Sequence, residues 1–170
     1  AKYLLGNLSD FDGKDHSGSL TELDRWAMSR LQGLIQKVTA AYENFQFHEV
    51  YHRMYHFCIV DMSSFYLDIL KDRLYTFRAD HPERRAAQLV LNEILHSMTR
   101  LLAPVLSFTS EEIWQHVSGE KEESVFLSGF PEARMEYHDL ELEERWERLI
   151  AIRDEVNRAL EEKRREKFIG

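Results

Sequence analysis

Apolar side chains recur at steps of three or four residues through several long stretches of this chain, as one face of an α-helix requires. The first such stretch begins after Thr21, which can cap a helix, and runs to about Asn44. Its apolar stripe is Leu23, Ala27, Leu31, Leu34, Val38 and Ala41. A second helix is predicted to follow a break at Gln46 and Phe47 and to run to about Tyr75, which makes long helices the main elements of the fold.

Three shorter patterns predict where further helices begin. Asp80-His81-Pro82 indicates one start, because the missing N–H of proline costs nothing in the first turn. Thr109-Ser110-Glu111-Glu112 has the form of a capping box, with Thr109 as the cap and Glu112 reaching back. Asp139 is expected to cap a final helix, whose apolar stripe is Leu142, Trp146, Leu149, Val156 and Leu160.

The remaining segments predict connections between these helices. Residues 2–8 resemble the tail of a helix, and residues 9–20 contain the glycines and aspartates of a loop. Residues 124–127 are expected to be extended. The sequence therefore predicts an all-α fold, a bundle of about five helices with one extended connection, formed by residues 1–170 as a single domain.

Composition excludes several classes of protein. A formal net charge of −8 argues against a protein held to nucleic acid by a general positive field. No apolar run approaches the roughly 20 residues that span a bilayer, and no signal peptide is present. The one cysteine, Cys58, cannot form an internal disulfide, so we expect a cytoplasmic protein without a membrane partner. A start without methionine and an abrupt end favour a piece excised from a larger protein.

The pattern H-E-x-x-H of zinc peptidases occurs once, with His48, Glu49 and His52 as its named positions. Two histidines four residues apart on a helix can bind one metal ion, with the glutamate as general base. His56 lies about 12 Å along the axis from His48, so the three histidines cannot bind a single ion. A zinc hydrolase using His48, Glu49 and His52 is the enzymatic alternative, and an ordinary exposed helix face is the simpler interpretation.

Basic and aromatic residues alternate near the end of the second helix, at Lys71, Arg73, Tyr75 and Arg78. Lys2-Tyr3 is a second such pair. Unpaired RNA is bound by stacking of bases on aromatic rings and by pairing of phosphates with cations. These residues are therefore candidate RNA contacts, and a merely solvated charged surface is the alternative.

Several segments together resemble the anticodon-binding domain of class I aminoacyl-tRNA synthetases. Leu23-Asp24-Arg25-Trp26 is similar to the start of that domain in the synthetases for isoleucine, valine and leucine. Residues 102–114 and 125–131 are similar to a helix and a crossing that these enzymes share. Three segments are most similar to the bacterial-type isoleucyl enzyme, namely residues 3–11, 64–75 and 149–170. Together with the other similar segments they span nearly the whole chain.

The resemblance implies a domain that binds the anticodon stem-loop of isoleucine tRNA and catalyses nothing by itself. The parent enzyme would ligate isoleucine to its tRNA with ATP and Mg²⁺, and its H-I-G-H and K-M-S-K-S signatures are absent from this chain. This segment would need no cofactor, and bacterial members carry a zinc-binding segment elsewhere. The implied partners are isoleucine tRNA and the rest of the synthetase chain, in a monomer. The valyl or leucyl enzyme is the near alternative.

The resemblance also supports the Lys2-Tyr3 pair as a contact and suggests Arg25 as a further one. Lys2-Tyr3 occupies the place of a basic-aromatic pair that touches the anticodon in the valyl enzyme. Arg25 could contact a phosphate, and an internal ion pair is the other reading. A helical protein-binding scaffold with an acidic surface is a third hypothesis, and it predicts no preference among tRNAs.

Overall fold

The computed structural model describes residues 1–119 and 121–169, and every regular element within them is helical, which confirms the all-α prediction. The α-helices in these residues are α1 (Lys2–Asn7), α2 (Glu22–Glu43), α3 (Phe47–His56), α4 (Leu67–Thr76), α5 (Pro82–Leu102), α6 (Ser107–His116) and α7 (Leu140–Arg165). A π-helical segment, Phe57–Tyr66, joins α3 to α4 so that all three form one continuous rod. In the part of the chain that is described, none of these helices combines the length and apolar character of a membrane span.

Two compact units make up the chain, Ala1–His138 and Asp139–Gly170. In the first unit α2 packs against α3 and α5, and α5 also contacts α1, α4 and α6. Trp26 of α2 is buried and meets Phe65 edge-on, with ring centroids 5.1 Å apart. The second unit is α7, whose first turn is capped by the Asp139 carboxylate, 2.9 Å from the Leu142 amide.

The predicted starts of three helices are confirmed. Thr21 caps α2 and forms a reciprocal capping box with Asp24, as each side chain bonds to the backbone amide of the other residue. His81 caps α5, and Pro82 occupies its first position. These starts follow from local chemistry, since each cap satisfies an amide that the helix itself leaves unpaired.

The capping box predicted at Thr109 is wrong, because α6 already begins at Ser107. After Ala103 the chain makes a turn in which the Leu106 amide bonds to the Leu102 carbonyl oxygen at 2.8 Å. The Ser107 hydroxyl then donates to the Ala103 carbonyl oxygen, so helical geometry starts before Thr109 is reached.

The extended connection is found in part. Ser124 has extended backbone angles, but Val125–Leu127 forms a 3₁₀ turn because the Ser124 hydroxyl accepts a bond from the Phe126 amide. Val125 is buried in a small cluster with Ala103 and Trp114. The Glu111 carboxylate accepts bonds from the Ser124 hydroxyl and the Val125 amide, and thereby ties α6 to this connection.

The π-helical segment changes which side of the rod faces the core. Counting about 3.6 residues per turn from buried Val50 would place Asp68 inward and Leu70 outward. A π-helix has wider turns, with bonds from residue i to i+5, as between the Leu67 amide and the Met62 carbonyl oxygen. Leu70 is consequently buried, and Asp68 and Ile69 are exposed, whereas the apolar periodicity of the sequence predicts that Ile69 faces the core.

Candidate nucleic-acid interface

Helix α1 and the end of α4 bring two of the predicted tyrosines together. The Asn7 side-chain amide donates to the Tyr3 carbonyl oxygen at 2.9 Å and reaches the Tyr75 hydroxyl at 3.5 Å. Burial of the Tyr3 phenol, with the Tyr75 hydroxyl and the Asp68 charge close by, raises the pKa of Tyr3 to about 12. Tyr75 is 63% exposed, so its ring is available for stacking.

Helix α1 is held on α5 by a polar cluster. The buried Gln88 side chain donates to the Asn7 carbonyl oxygen at 2.8 Å and to the Asp10 carboxylate at 2.6 Å. Arg84 adds bonds of 2.8 and 3.2 Å to both oxygens of that carboxylate. The Arg84 guanidinium holds the pKa of Asp10 below its usual range, with Gln88 and the Arg85 charge adding to the effect. The position of Tyr3 therefore depends on this cluster.

Lys71 and Arg78 lie on the surface near Tyr75, each beside a carboxylate. Lys71 bonds to Asp68 at 2.8 Å, and Arg78 bonds to Asp80 at 2.6 Å. Hydrogen bonds to these carboxylates raise the pKa of both cations, which stay charged. Exposed pairs of this kind contribute little to stability, so a phosphate can compete for either cation.

Lys2 and Arg25 are exposed cations without an ion pair in the part of the chain that the structure describes. Arg25 lies in the first turn of α2, next to Asp24, which bonds to Arg73 of α4. Lys2 also lines a groove of about 1310 Å³ between α1, the following loop, α5 and α6. Acidic side chains such as Asp12 and Glu93 share the groove with Lys14, so its lining does not favour phosphate.

Arg73 is a correction to the set of predicted contacts. Its guanidinium donates to both carboxylate oxygens of Asp24, at 2.7 and 2.9 Å, and the residue is 9% exposed. The fully buried Tyr66 hydroxyl donates to the same carboxylate at 2.8 Å. The phase shift of the π-helical segment turns Arg73 inward, so its side chain joins helices α2 and α4 instead of lying on the surface.

The model of one protein family, described as the anticodon-binding domain of tRNA ligase, matches residues 24–170 of this chain. The chain belongs to this anticodon-binding domain family. The resemblance inferred from the sequence motifs is thereby confirmed at the level of the family.

Three curated proteins that are similar to this chain are named isoleucine–tRNA ligase. An isoleucine–tRNA ligase of Moorella thermoacetica is 52% identical, over 99% of this chain and 19% of its own length. Those of Syntrophotalea carbinolica and Geobacter sulfurreducens are each 51% identical, over 100% and 99% of this chain. The chain spans about a fifth of the length of these relatives, with 19% and 18% of the latter two covered.

For an anticodon-binding domain, the H-E-x-x-H pattern has a plain explanation. His48 and His52 are exposed on α3, and Glu49 forms an ion pair with Arg53 at 2.9 Å. Among residues 1–119 and 121–169, no group of three or more potential ligands converges to hold a metal ion. The zinc-hydrolase alternative therefore finds no third ligand among these described residues.

Two functionally placed residues of this family member were missed by sequence reasoning. Asp24 receives bonds from Thr21, Tyr66 and Arg73 and joins three elements, although only its place in the Leu-Asp-Arg-Trp motif was noted. Asn7, which connects α1 to Tyr75, was noted only as part of the resemblance of residues 3–11. Tyr66, Leu70 and Arg73 are spaced by four and three residues, which places them on one face of a helix. Because apolar Leu70 is expected to face the core, this spacing could have predicted that Tyr66 and Arg73 face the core as well.

Proposed function

We propose that this chain is the anticodon-binding module of an isoleucine–tRNA ligase and that it binds the anticodon stem-loop of isoleucine tRNA. The observation that carries this proposal is the identity of about half of all positions, across 99% of the chain, with a relative of that name. The convergence of Tyr3 and Tyr75 at one end of the α3–α4 rod supports the location of the surface.

The proposed surface consists of Lys2, Tyr3, Arg25, Lys71, Tyr75 and Arg78. Tyr75 and the accessible part of Tyr3 offer rings on which unpaired bases stack. The four cations pair with neighbouring phosphates, while the net charge of −8 keeps the rest of the molecule from binding RNA without selection. Arg73 is left out of the surface, because its guanidinium is bonded to Asp24.

In the full-length ligase, this module would raise the fraction of correct tRNA docked at a catalytic part that lies outside this chain. That part would use ATP and Mg²⁺ to activate isoleucine and transfer it to the tRNA. We further propose that the ligase works as a cytoplasmic monomer. These statements rest on the names of the relatives and on the resemblance of the motifs.

Binding of an isolated anticodon hairpin tests the surface directly. Tyr75→Leu keeps an apolar side chain but removes the aromatic ring, and it should weaken binding of a fluorescein-labelled isoleucine hairpin about tenfold. Fluorescence anisotropy measures this change. Phe108→Leu is the matched control, because Phe108 is a 93% exposed aromatic residue on α6 that is not a member of the proposed surface. Equal affinity of wild type and Tyr75→Leu would contradict the proposed surface.

A second pair of variants isolates the charge contribution. Lys71→Ala should weaken hairpin binding, whereas Lys163→Ala should not. The two lysines are matched, since each is exposed and forms an i,i+3 ion pair, with Asp68 at 2.8 Å and with Glu166 at 2.6 Å. Competition by unlabelled valine and isoleucine hairpins then tests the identity of the tRNA, and stronger competition by the valine hairpin would favour the valyl enzyme instead.

A further inference from the structure

The exposed side of α3 carries two parallel rows of side chains with one member per helical turn. The aromatic row consists of Phe47, Tyr51 and Tyr55, and the histidine row consists of His48, His52 and His56. We name the two rows together the aromatic–histidine face. The Tyr51 and Tyr55 rings are stacked, with centroids 5.8 Å apart, and are 62% and 56% exposed. An exposed helix face ordinarily carries charged side chains, so this composition indicates contact with a partner.

Phe45, just before the aromatic row, adds an independent observation. It has φ of +55° at the end of α2, where the Gln46 amide bonds back to the Ala41 carbonyl oxygen. Glycine is usual at this position, because a side chain is strained in the left-handed region. Phe45 is nevertheless 80% exposed, and its ring lies 6.3 Å from that of Phe47. Neither burial nor backbone preference accounts for a phenylalanine here, so the strain points to a function.

The charge of this region favours RNA as the partner. Residues 45–60 contain one acidic side chain, Glu49, and its carboxylate is paired with Arg53. On a molecule of net charge −8, phosphates meet little repulsion at such a surface. Aromatic rings stack on bases of any sequence, and imidazole N–H groups donate to base edges or phosphates.

We infer that the aromatic–histidine face binds unpaired nucleotides of the same tRNA whose anticodon loop contacts Tyr3 and Tyr75, an inference that rests on the proposed function. Tyr51 and Tyr75 lie 24 residues apart on one continuous rod, which is at most about 36 Å along its axis at about 1.5 Å per residue, because the π-helical segment between them has wider turns and rises less. The bases next to the anticodon loop are paired in its stem and cannot stack on side chains. The nucleotides on this face therefore belong to a part of the tRNA outside the anticodon stem-loop.

The test compares two probes, a full-length isoleucine tRNA transcript and its anticodon hairpin. Tyr51→Leu combined with Tyr55→Leu should weaken binding of the full-length tRNA about tenfold or more, and leave hairpin binding unchanged. Tyr51→Phe with Tyr55→Phe keeps both rings and should bind as wild type does. Phe108→Leu again serves as the control for loss of an exposed ring. Ultraviolet cross-linking to the transcript should mark the peptide of residues 47–56.

Phe45→Gly separates a binding role from a structural one. Relief of the left-handed strain should raise the melting temperature by about 2–4 °C. The same substitution should weaken binding of full-length tRNA, because it removes an exposed ring. A residue that only supported the fold could not change stability and binding in these opposite directions.

Failure of this inference differs from failure of the proposed function. Unchanged binding of full-length tRNA by the Tyr51→Leu, Tyr55→Leu variant, or cross-links only outside residues 47–56, would overturn the RNA assignment and leave the face to a protein partner. Weakened hairpin binding by that variant would overturn its placement outside the stem-loop. If Tyr75→Leu alone proves inert while the α3 variant loses tRNA, the anticodon surface fails, and only RNA binding by the aromatic–histidine face stands.

Discussion

A single carboxylate, that of Asp24, organises the end of the bundle that carries the proposed surface. It accepts bonds from the Thr21 hydroxyl, from the Tyr66 hydroxyl and from both terminal nitrogens of Arg73. Asp24 is fully buried, so these donors replace the water that would otherwise solvate it. The network positions α4, and with it Tyr75, relative to the start of α2.

Arg73→Ala should lower the free energy of unfolding by about 3–5 kcal/mol, because it leaves the Asp24 charge buried without its cation. Urea unfolding followed by circular dichroism measures the loss. Arg25→Ala, at the exposed residue next to Asp24, is the control and should change stability by no more than about 0.5 kcal/mol. Similar effects of the two substitutions would mean that Arg73 does not have the structural role assigned to it.

At the scale of elements, short α1 depends on α5 for its position. Its six residues are too few to form a stable helix alone, and the bonds from Gln88 and Arg84 to the segment that ends at Asp10 hold it in place. The ionised Asp10 carboxylate, bonded to these donors, therefore helps to hold α1, and with it Tyr3, in place beside Tyr75.

Asp10→Asn should make stability less dependent on acid. The folded-state pKa of Asp10 lies below the ordinary value of 3.8 for this side chain, so its stabilising contribution is present above that value and is lost as pH falls through the lower folded-state pKa. Wild type should consequently lose more unfolding free energy between about pH 5 and pH 2 than the variant does. Urea titrations at a series of pH values measure both curves, and parallel curves would exclude Asp10 as a contributor.

The whole molecule is acidic, so RNA has to be held by a few local cations. The proposed surface has four of them, Lys2, Arg25, Lys71 and Arg78. A molecule with net charge −8 repels RNA at long range, and this repulsion favours the complexes in which stacking contributes as well. Selectivity and weak background binding then have the same electrostatic origin.

Salt dependence tests this count of cations. Each phosphate contact to unpaired RNA contributes a slope of about −0.7 to the plot of log affinity against log salt, so four contacts give a slope no steeper than about −3. Anisotropy titrations of the anticodon hairpin at several salt concentrations measure the slope. Lys71→Ala should reduce its magnitude by about 0.7. A much steeper wild-type slope would show that further cations take part.

Features set by neighbours along the chain were predictable from the sequence. The amphipathic stripe of α2, the caps at Thr21 and Asp139 and the start of α5 at Pro82 each involve residues that are close together along the chain. The family was also predictable, because its motifs are local strings of residues. For the same reason the sequence could nominate Tyr3 and Tyr75 as candidates, each from its own short segment.

Only the tertiary structure decided which of the candidates face solvent and which lie together. The π-helical segment rotates α4 by part of a turn, which buries Arg73 against Asp24, a residue 49 positions earlier in the chain. The meeting of Tyr3 with Tyr75 likewise depends on packing between distant segments. The physical reason is that helix periodicity reports the phase of a regular helix, whereas an irregular turn changes that phase and is stabilised by long-range contacts that no local pattern contains.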